Sequence, residues 1–273
     1  MSKERLDQLL LIRGLVASRE KGRALIMAGQ VLVNKVMIDK PGTFVISTDN
    51  IEIKGKPFLY VSRGGLKLEK ALREFQLNVK GSVVLDIGAS TGGFTHCALL
   101  NGATRVYAVD VGYGQLDWSL RQDNRVVSLE RKNARYLSVE DVPEFVDLIT
   151  IDVAFISLEK ILPAVQGFLK DDGGIVALIK PQFEAGRDKV GKKGVVRDKG
   201  IHREVIKRVI AFSTGIGLVP RELLYSPITG PEGNIEYLLW LTKKGSEVGN
   251  WEQDIEEVLN KAHEELTQKS GFK

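Results

Sequence analysis

From residue 82 onward the chain alternates two apolar patterns. Short runs rich in β-branched residues, at 82–87, 105–110, 126–129, 147–152, 174–180, 221–226 and 235–242, predict buried strands. Apolar residues at helical spacing predict helices between them, clearest at 92–101, 157–169 and 199–213. Strands alternating with helices predict an α/β domain built on a mostly parallel sheet of seven strands. Ahead of it, Leu68, Ala71, Leu72 and Phe75 form a further helical stripe, with Lys67 just off it. The first sixty residues are patterned differently. Leu6, Leu9, Leu10, Ile12 and Leu15 predict one face of a helix with Gly14 near its end. Ser18 is placed to cap a second helix over Arg19–Ala28 that Gly29 stops, with Leu25 and Ile26 turned inward. Short strands at 31–33, 44–46 and 51–53 follow, with Pro41-Gly42 as a turn, so this is a small α+β module. At the far end Trp251, Ile255, Val258, Leu259, Ala262 and Leu266 repeat at helical spacing behind Asn250, which predicts a terminal helix packed on the core. The expected boundaries are 1–60 for the first module, a short linker at about 54–62 containing Lys54-Gly55-Lys56-Pro57, 63–245 for the α/β domain, and 246–273 for the terminal helix.

Chemistry gathers where the predicted strands end, because ligands of parallel sheets bind outside the carboxyl ends of the strands. The run Val83-Val84-Leu85-Asp86-Ile87 leads into Gly88-Ala89-Ser90-Thr91-Gly92-Gly93-Phe94, a glycine turn that lets the backbone approach a nucleoside closely. One strand later Arg105–Asp110 ends in an acid placed to accept hydrogen bonds from ribose hydroxyls. The dinucleotide fingerprint G-x-G-x-x-G lacks its second glycine here, the one that makes room for a pyrophosphate. That argues against a nicotinamide-dependent oxidoreductase and for a cofactor without phosphate, with Asp86 suited to a cation. A structural turn with no ligand is the plain alternative. Asp152 and Lys180 end two more strands, with Pro181 halting the second. Asp86, Asp110, Asp152 and Lys180 are therefore expected to converge on one crevice. Asn133, after the third strand, could bond an adenine edge or serve only a loop turn.

Composition narrows the class of function. The chain has 273 residues, 43% of them hydrophobic and 27% charged, ordinary values for a globular protein. No apolar run approaches the ~20 residues that span a bilayer. The N-terminus lacks a signal-like apolar stretch, and Cys97 is the sole cysteine, so a cytoplasmic protein without disulfide or cysteine-zinc site is expected. Through residue 35 seven basic residues face three acids, so that segment holds the whole net charge of +4 and the remainder is neutral. A basic module on a neutral one suggests a nucleic-acid grip joined to an enzyme, a solvated basic face being the simpler reading. Gly186–Gly200, rich in glycine, arginine and lysine, reads as a mobile loop that closes on an RNA backbone.

Residues 3–60 resemble the S4 RNA-binding domain, through Arg5-Leu6-Asp7, Ser18-Arg19, Gly29-Gln30-Val31-Leu32-Val33-Asn34 and Lys40-Pro41-Gly42. The glycine turn is similar to the first motif of Rossmann-like methyltransferases. With Ser62-Arg63-Gly64-Gly65-Leu66-Lys67, Lys180-Pro181-Gln182-Phe183-Glu184 and Gly233-Asn234-Ile235-Glu236-Tyr237, nearly the whole of 3–243 resembles the TlyA (haemolysin A) family, whose catalytic domain is FtsJ-like. The resemblance implies a Rossmann-like, class I methyltransferase that uses S-adenosylmethionine to methylate a ribose 2′-hydroxyl, by its family cytidine, in ribosomal RNA or ribosomal subunits. It implies a Lys–Asp–Lys–Glu tetrad at Lys67, Asp152, Lys180 and Glu236, with Lys180 as base, Lys67 positioning the hydroxyl and no metal needed. On residues alone, Lys67 would be a solvated lysine. Cofactor contacts are expected from Asp86, Gly88, Ala89, Ser90, Thr91, Gly92, Gly93, Phe94, Asp110, Val111, Asn133 and Asp152. RNA contacts are expected from Lys3, Arg5, Arg13, Arg19, Lys21, Arg23 and Lys35, from Arg63, and from Lys189, Lys192, Lys193 and Arg197. A haemolysin or a non-catalytic ribosome-binding factor is the alternative that the family's older name suggests, and oligomeric state is left open.

Overall fold

The computed structural model describes residues 3–16, 18–27, 29–53, 59–246 and 250–270. The expected linker Lys54–Pro57 lies outside the described residues. The chain divides into two compact units, Met1–Leu59 and Tyr60–Lys273.

In the first unit, β1 (Lys3–Arg5) precedes α1 (Leu6–Ile12) and α2 (Arg19–Met27), and β2 (Val31–Val33), β3 (Val36–Ile38), β4 (Phe44–Ile46) and β5 (Ile51–Ile53) follow. β1 pairs with β4, and β3, β2 and β5 form a second small antiparallel sheet. The core holds Leu6, Leu9, Leu10, Leu25, Ile26, Val31, Val33 and Val45. Ser18 Oγ accepts the Lys21 amide at 3.2 Å, the cap its sequence position demands, and Gly29 takes φ +67°. Two expectations fail here. Ile12 is 70% exposed because at 100° per residue it falls off the face of Leu6, Leu9 and Leu10, and Leu15 is exposed because α1 stops at Ile12 and helical periodicity has no meaning beyond it. β1 and β3 carry no inward-outward alternation of their own and escape a pattern search.

The second unit is a seven-stranded sheet, among the described residues, with strand order β11-β12-β10-β9-β6-β7-β8. Its strands are β6 (Val83–Ile87), β7 (Arg105–Asp110), β8 (Val126–Glu130), β9 (Val146–Ile151), β10 (Leu169–Ile179), β11 (Val219–Tyr225) and β12 (Tyr237–Thr242). β8, β7, β6, β9 and β10 run parallel, and β12 pairs antiparallel with both β10 and β11. Successive side chains of a strand point to opposite faces, and the core obeys this strictly. Leu85, Ile87, Ile149, Ile151, Ile175, Ala177 and Ile179 pack with α6 (Leu158–Val165), α8 (Lys199–Gly215) and α9 (Trp251–Ser270). Val84, Leu148, Val176, Leu178 and Leu238 pack with α3 (Gly64–Glu74), α4 (Gly93–Leu100) and α5 (Trp118–Arg121). Both faces are covered, so the strands read as unbroken apolar runs.

The chain leaves β6 toward β7 and β8, then returns to lay β9 on the other side of β6. This reversal is a topological switch point, where a crevice opens at the carboxyl edge. One boundary differs from expectation: the helix expected over 157–169 ends at Val165, a 3₁₀ turn spans Gln166–Phe168, and β10 already begins at Leu169. The strand gains its early start by pairing Leu169 with Val146 before an irregularity that runs to Gly174.

Candidate active site

At the switch point a cavity of about 690 Å³ opens, lined by the β6–α4 turn, the ends of β7, β9 and β10, the start of α3 and the segment Ile228–Pro231. The turn is left-handed at Gly88 (φ +83°), Ser90 (φ +49°) and Gly92 (φ +97°). At Gly88 a Cβ atom would stand 2.5 Å from the Asp152 carbonyl oxygen, so no other residue fits. Gly88, Ala89, Ser90, Thr91, Gly93, Phe94, Asp110, Val111, Asn133 and Asp152 line the cavity. Asp110 is oriented by two backbone donors, Ser90 N to Oδ2 at 2.8 Å and Gly112 N to Oδ1 at 2.7 Å. A carboxylate has about four acceptor positions, so both oxygens keep capacity for hydroxyl donors. Asn133 Oδ1 caps the 3₁₀ turn Ala134–Tyr136 through the Arg135 amide at 3.1 Å, which accounts for its loop role.

Asp86 and Gly92, both expected to touch a cofactor, are not among the lining residues. Asp86 is buried beneath the turn, where Thr95 Oγ1 donates to Oδ2 at 2.6 Å and Thr150 Oγ1 donates to Oδ1 at 2.9 Å. It ties β6 to α4 and β9. Burial pushes its carboxyl up to about 6, against the two threonine hydrogen bonds, and the Asp152 charge adds to the rise. Gly92 serves packing: a Cβ there would meet Leu120 Cδ1 at 2.3 Å.

Four charged side chains from distant parts of the chain meet on the cavity wall. Lys67, on α3, places Nζ 2.7 Å from Glu236 Oε2 and 3.6 Å from Asp152 Oδ2. Lys180, one residue past β10, places Nζ 2.6 Å from Asp152 Oδ1 in an ion pair off the line of a good hydrogen bond. Lys67 and Glu236 are buried, and all four residues line the cavity. Burial works against the Lys67 ammonium, yet Asp152 and Glu236 together outweigh it and raise its pKa above the ordinary lysine value. Burial likewise opposes the Asp152 carboxylate, and the Lys67 and Lys180 ammoniums overcome it, holding its pKa below the ordinary range. The resting quartet is two cations alternating with two anions.

A model of the FtsJ-like methyltransferase family matches residues 60–243, and an S4 domain model matches residues 4–51. The chain belongs to the FtsJ-like methyltransferase family. It is 45% identical to the 16S/23S rRNA (cytidine-2′-O)-methyltransferase TlyA of Mycobacterium tuberculosis strain H37Rv, covering 87% of this chain and 89% of that protein. It is also 45% identical to hemolysin A of Brachyspira hyodysenteriae, covering 86% and 98%. A solved protein of Streptococcus thermophilus, provisionally named a hemolysin, superposes with a TM-score of 0.79 at 47% identity over 99% of both chains. Membership of a methyltransferase family displaces the nicotinamide reading. No helix among the described residues is long and apolar enough to cross a membrane.

Within this FtsJ-like domain the sequence patterns missed several features. Phe155 is 89% exposed beside the cavity, in a left-handed backbone (φ +63°), with its ring 4.9 Å from that of Phe183. A lone apolar residue in a loop gives no periodic signal. Gln115, Lys132 and Ile228–Pro231 also line the cavity. Glu184, in the Lys180–Glu184 motif, is buried and accepts from Ser157 Oγ at 2.7 Å and Leu158 N at 2.8 Å, which secures the start of α6.

The residues expected to meet RNA fall into two groups. Lys3, Lys21, Arg23, Lys35, Arg63, Lys192, Lys193 and Arg197 are exposed, Arg63 at the cavity. The others are engaged. Arg5 and Arg19 both bind Asp7, which is fully buried, at 3.0 Å. Arg13 donates to the Asp49 carbonyl at 2.8 Å, and Lys189 pairs with Glu204 at 2.5 Å. Residues 186–198 are pinned where Asn234 accepts the Val196 amide (3.0 Å) and donates to the Gly194 carbonyl (2.9 Å), with Val195 and Val196 buried. Loop composition alone does not disclose that anchorage.

Proposed function

We propose that this protein methylates the 2′-hydroxyl of a ribose, by its relatives that of cytidine, in ribosomal RNA, with S-adenosylmethionine as donor. The observation that carries the reading is the quartet Lys67, Asp152, Lys180 and Glu236 on one wall of the cavity that the glycine turn opens onto. The cavity suits the cofactor: its size is that of a small-molecule site, its turn admits only glycine at Gly88, and Asp110 is oriented to receive ribose hydroxyls. When bound, S-adenosylmethionine supplies a methyl group on an already activated sulfonium.

The chain's part is to place a hydroxyl and remove its proton. Two carboxylates hold the Lys67 proton, which makes Lys67 a fixed cation and a poor base. Lys67 therefore positions the 2′-oxygen and offsets the charge that develops there as the proton leaves. Lys180, paired with one carboxylate where Lys67 is paired with two, first gives its own proton to solvent; its free amine then accepts the hydroxyl proton at Nζ, with Asp152 beside it. Glu236 orients Lys67. The Phe155 ring offers an exposed face at the cavity lip on which the target base can stack. The first unit, with its basic residues, would grip structured RNA through shape and backbone. Lys180→Ala tests the assignment: methyl incorporation into ribosomal RNA should be lost while calorimetry still detects S-adenosylmethionine binding. An active Lys180→Ala enzyme would remove Lys180 as base.

A further inference from the structure

Past the carboxyl ends of β7 and β8, two arginines are stacked on two exposed tyrosines. Arg131 Cζ lies 4.1 Å from the centre of the Tyr113 ring, and Arg135 Cζ lies 5.2 Å from that of Tyr136. Tyr113 and Tyr136 are 69% and 71% exposed, and Trp118 on the connection from β7 is also exposed. Among the described residues, neither arginine stands within ion-pair distance of a carboxylate, because the neighbouring acids are taken. Glu130 binds Arg121 and the Gly114 amide, Asp141 binds Lys132, and Asp110 holds the Ser90 and Gly112 amides.

The backbone fixes both arginines in place. Arg131 is left-handed (φ +55°), its amide donating to Gly112 O at 3.0 Å, while the Lys132 amide donates to Asp110 O at 3.0 Å. Asn133, between the two arginines, lines the cavity and accepts the Arg135 amide. A ring beneath a guanidinium restrains it while leaving N–H groups outward as donors for a phosphate; Arg135 uses Nε on Asn133 Oδ1 at 3.5 Å, and its terminal N–H groups remain for a ligand.

We propose that Arg131–Tyr113 and Arg135–Tyr136, with Trp118, form a second RNA-contact surface on the catalytic domain, taking the phosphates and unstacked bases that flank the target nucleotide. This deepens, and rests on, the reading of the chain as an RNA methyltransferase. The charge and the ring faces both match RNA, whereas an acidic protein segment would use the charge alone. The surface meets the cavity at Asn133, so RNA held there is held next to the cofactor's end of the site.

The test uses the full chain carrying Arg131→Glu and Arg135→Glu, with deproteinised ribosomal RNA as the probe in filter binding. The Kd should rise roughly tenfold or more, and the slope of log Kd against log salt should fall by roughly 1.4, about 0.7 for each lost phosphate contact. S-adenosylmethionine affinity and Tm should stay at the wild-type values. Arg131→Lys with Arg135→Lys keeps the charges and loses the planar stack, so it should bind more weakly at a wild-type salt slope. Wild-type Kd and slope in the charge-reversed variant would overturn the proposal. So would an effect seen with intact ribosomal subunits and not with naked RNA, which would assign the surface to a protein. The binding arm needs no methyl transfer: a chain that binds RNA through this surface yet methylates none would sink the catalytic reading and leave the surface standing. Methylation by a variant with unchanged RNA binding would do the reverse.

Discussion

Asp86 gives the protein a stability term that runs against the usual direction for a carboxylate. Its pKa rises from 3.8 to about 6 in the folded chain, chiefly through burial. The folded state therefore holds this proton more tightly than the unfolded one. The associated stability is fully present below pH 3.8 and is lost as pH climbs through about 6, a change worth about 3 kcal/mol. His202 has the opposite sign. Burial lowers it from 6.5 to about 4, so its contribution is complete above pH 6.5 and is lost on acidification toward 4, again about 3 kcal/mol. The two slopes share nearly the same interval, so in the wild type they largely cancel. Asp86→Asn keeps the shape and can still donate to one threonine, as a protonated carboxyl would. The variant should match the wild type within about 1 kcal/mol near pH 4 and exceed it by up to about 3 kcal/mol at pH 7.5. Its own stability should then fall steeply below pH 6.5, exposing His202. Urea unfolding followed by tryptophan fluorescence is suited to this, because Trp118, Trp240 and Trp251 all lie in the second unit. A difference between variant and wild type that stays constant from pH 4 to pH 7.5 would refute the reasoning.

Two further outcomes are expected. Gly88→Ala forces a side chain into a left-handed position and a methyl to 2.5 Å from the Asp152 carbonyl, so it should weaken S-adenosylmethionine binding by calorimetry at least roughly tenfold; unchanged affinity would show that the turn does not cradle the cofactor. Phe155→Ala removes an exposed ring, so Tm should be unaltered while kcat/KM for RNA falls roughly tenfold, the worth of one stacked base, and an unaffected kcat/KM would deny it a role with substrate.

The strand ends were legible because a charge terminating an apolar run is expensive unless something meets it there. Asp110, Asp152 and Lys180 declared themselves in this way, and the cavity gathers all three. Lys67 and Glu236 did not: Lys67 sits off its helical stripe, Glu236 lies in an irregular approach to β12, and only the family resemblance marked them. Asp86 misled for a related reason. Its position beside the turn looks like that of Asp110, but the alternation of β6 sends its side chain inward to Thr95 and Thr150. What a side chain faces depends on the element packed against it, and that partner is remote in sequence. Ile12, Phe155 and the buried Asp7 beneath Arg5 and Arg19 were obscured by the same limit.

Asp152 shows how closely the functions are interlocked. Its backbone carbonyl is what forbids a side chain at Gly88, so it shapes the turn. Its carboxylate stands between Lys67 and Lys180 and forms an ion pair with each amine. Its charge also helps to raise the carboxyl of Asp86 below. One residue therefore bears on the form of the glycine turn, the spacing of the two lysines and part of the field under the turn. In the proposed transfer the donor and the hydroxyl must meet within ~3–3.5 Å and in line, and Asp152 is the residue that touches both the turn and the two lysines. If the proposed transfer takes place here, Asp152 at the end of β9 governs its geometry, while Lys180 governs where the proton goes.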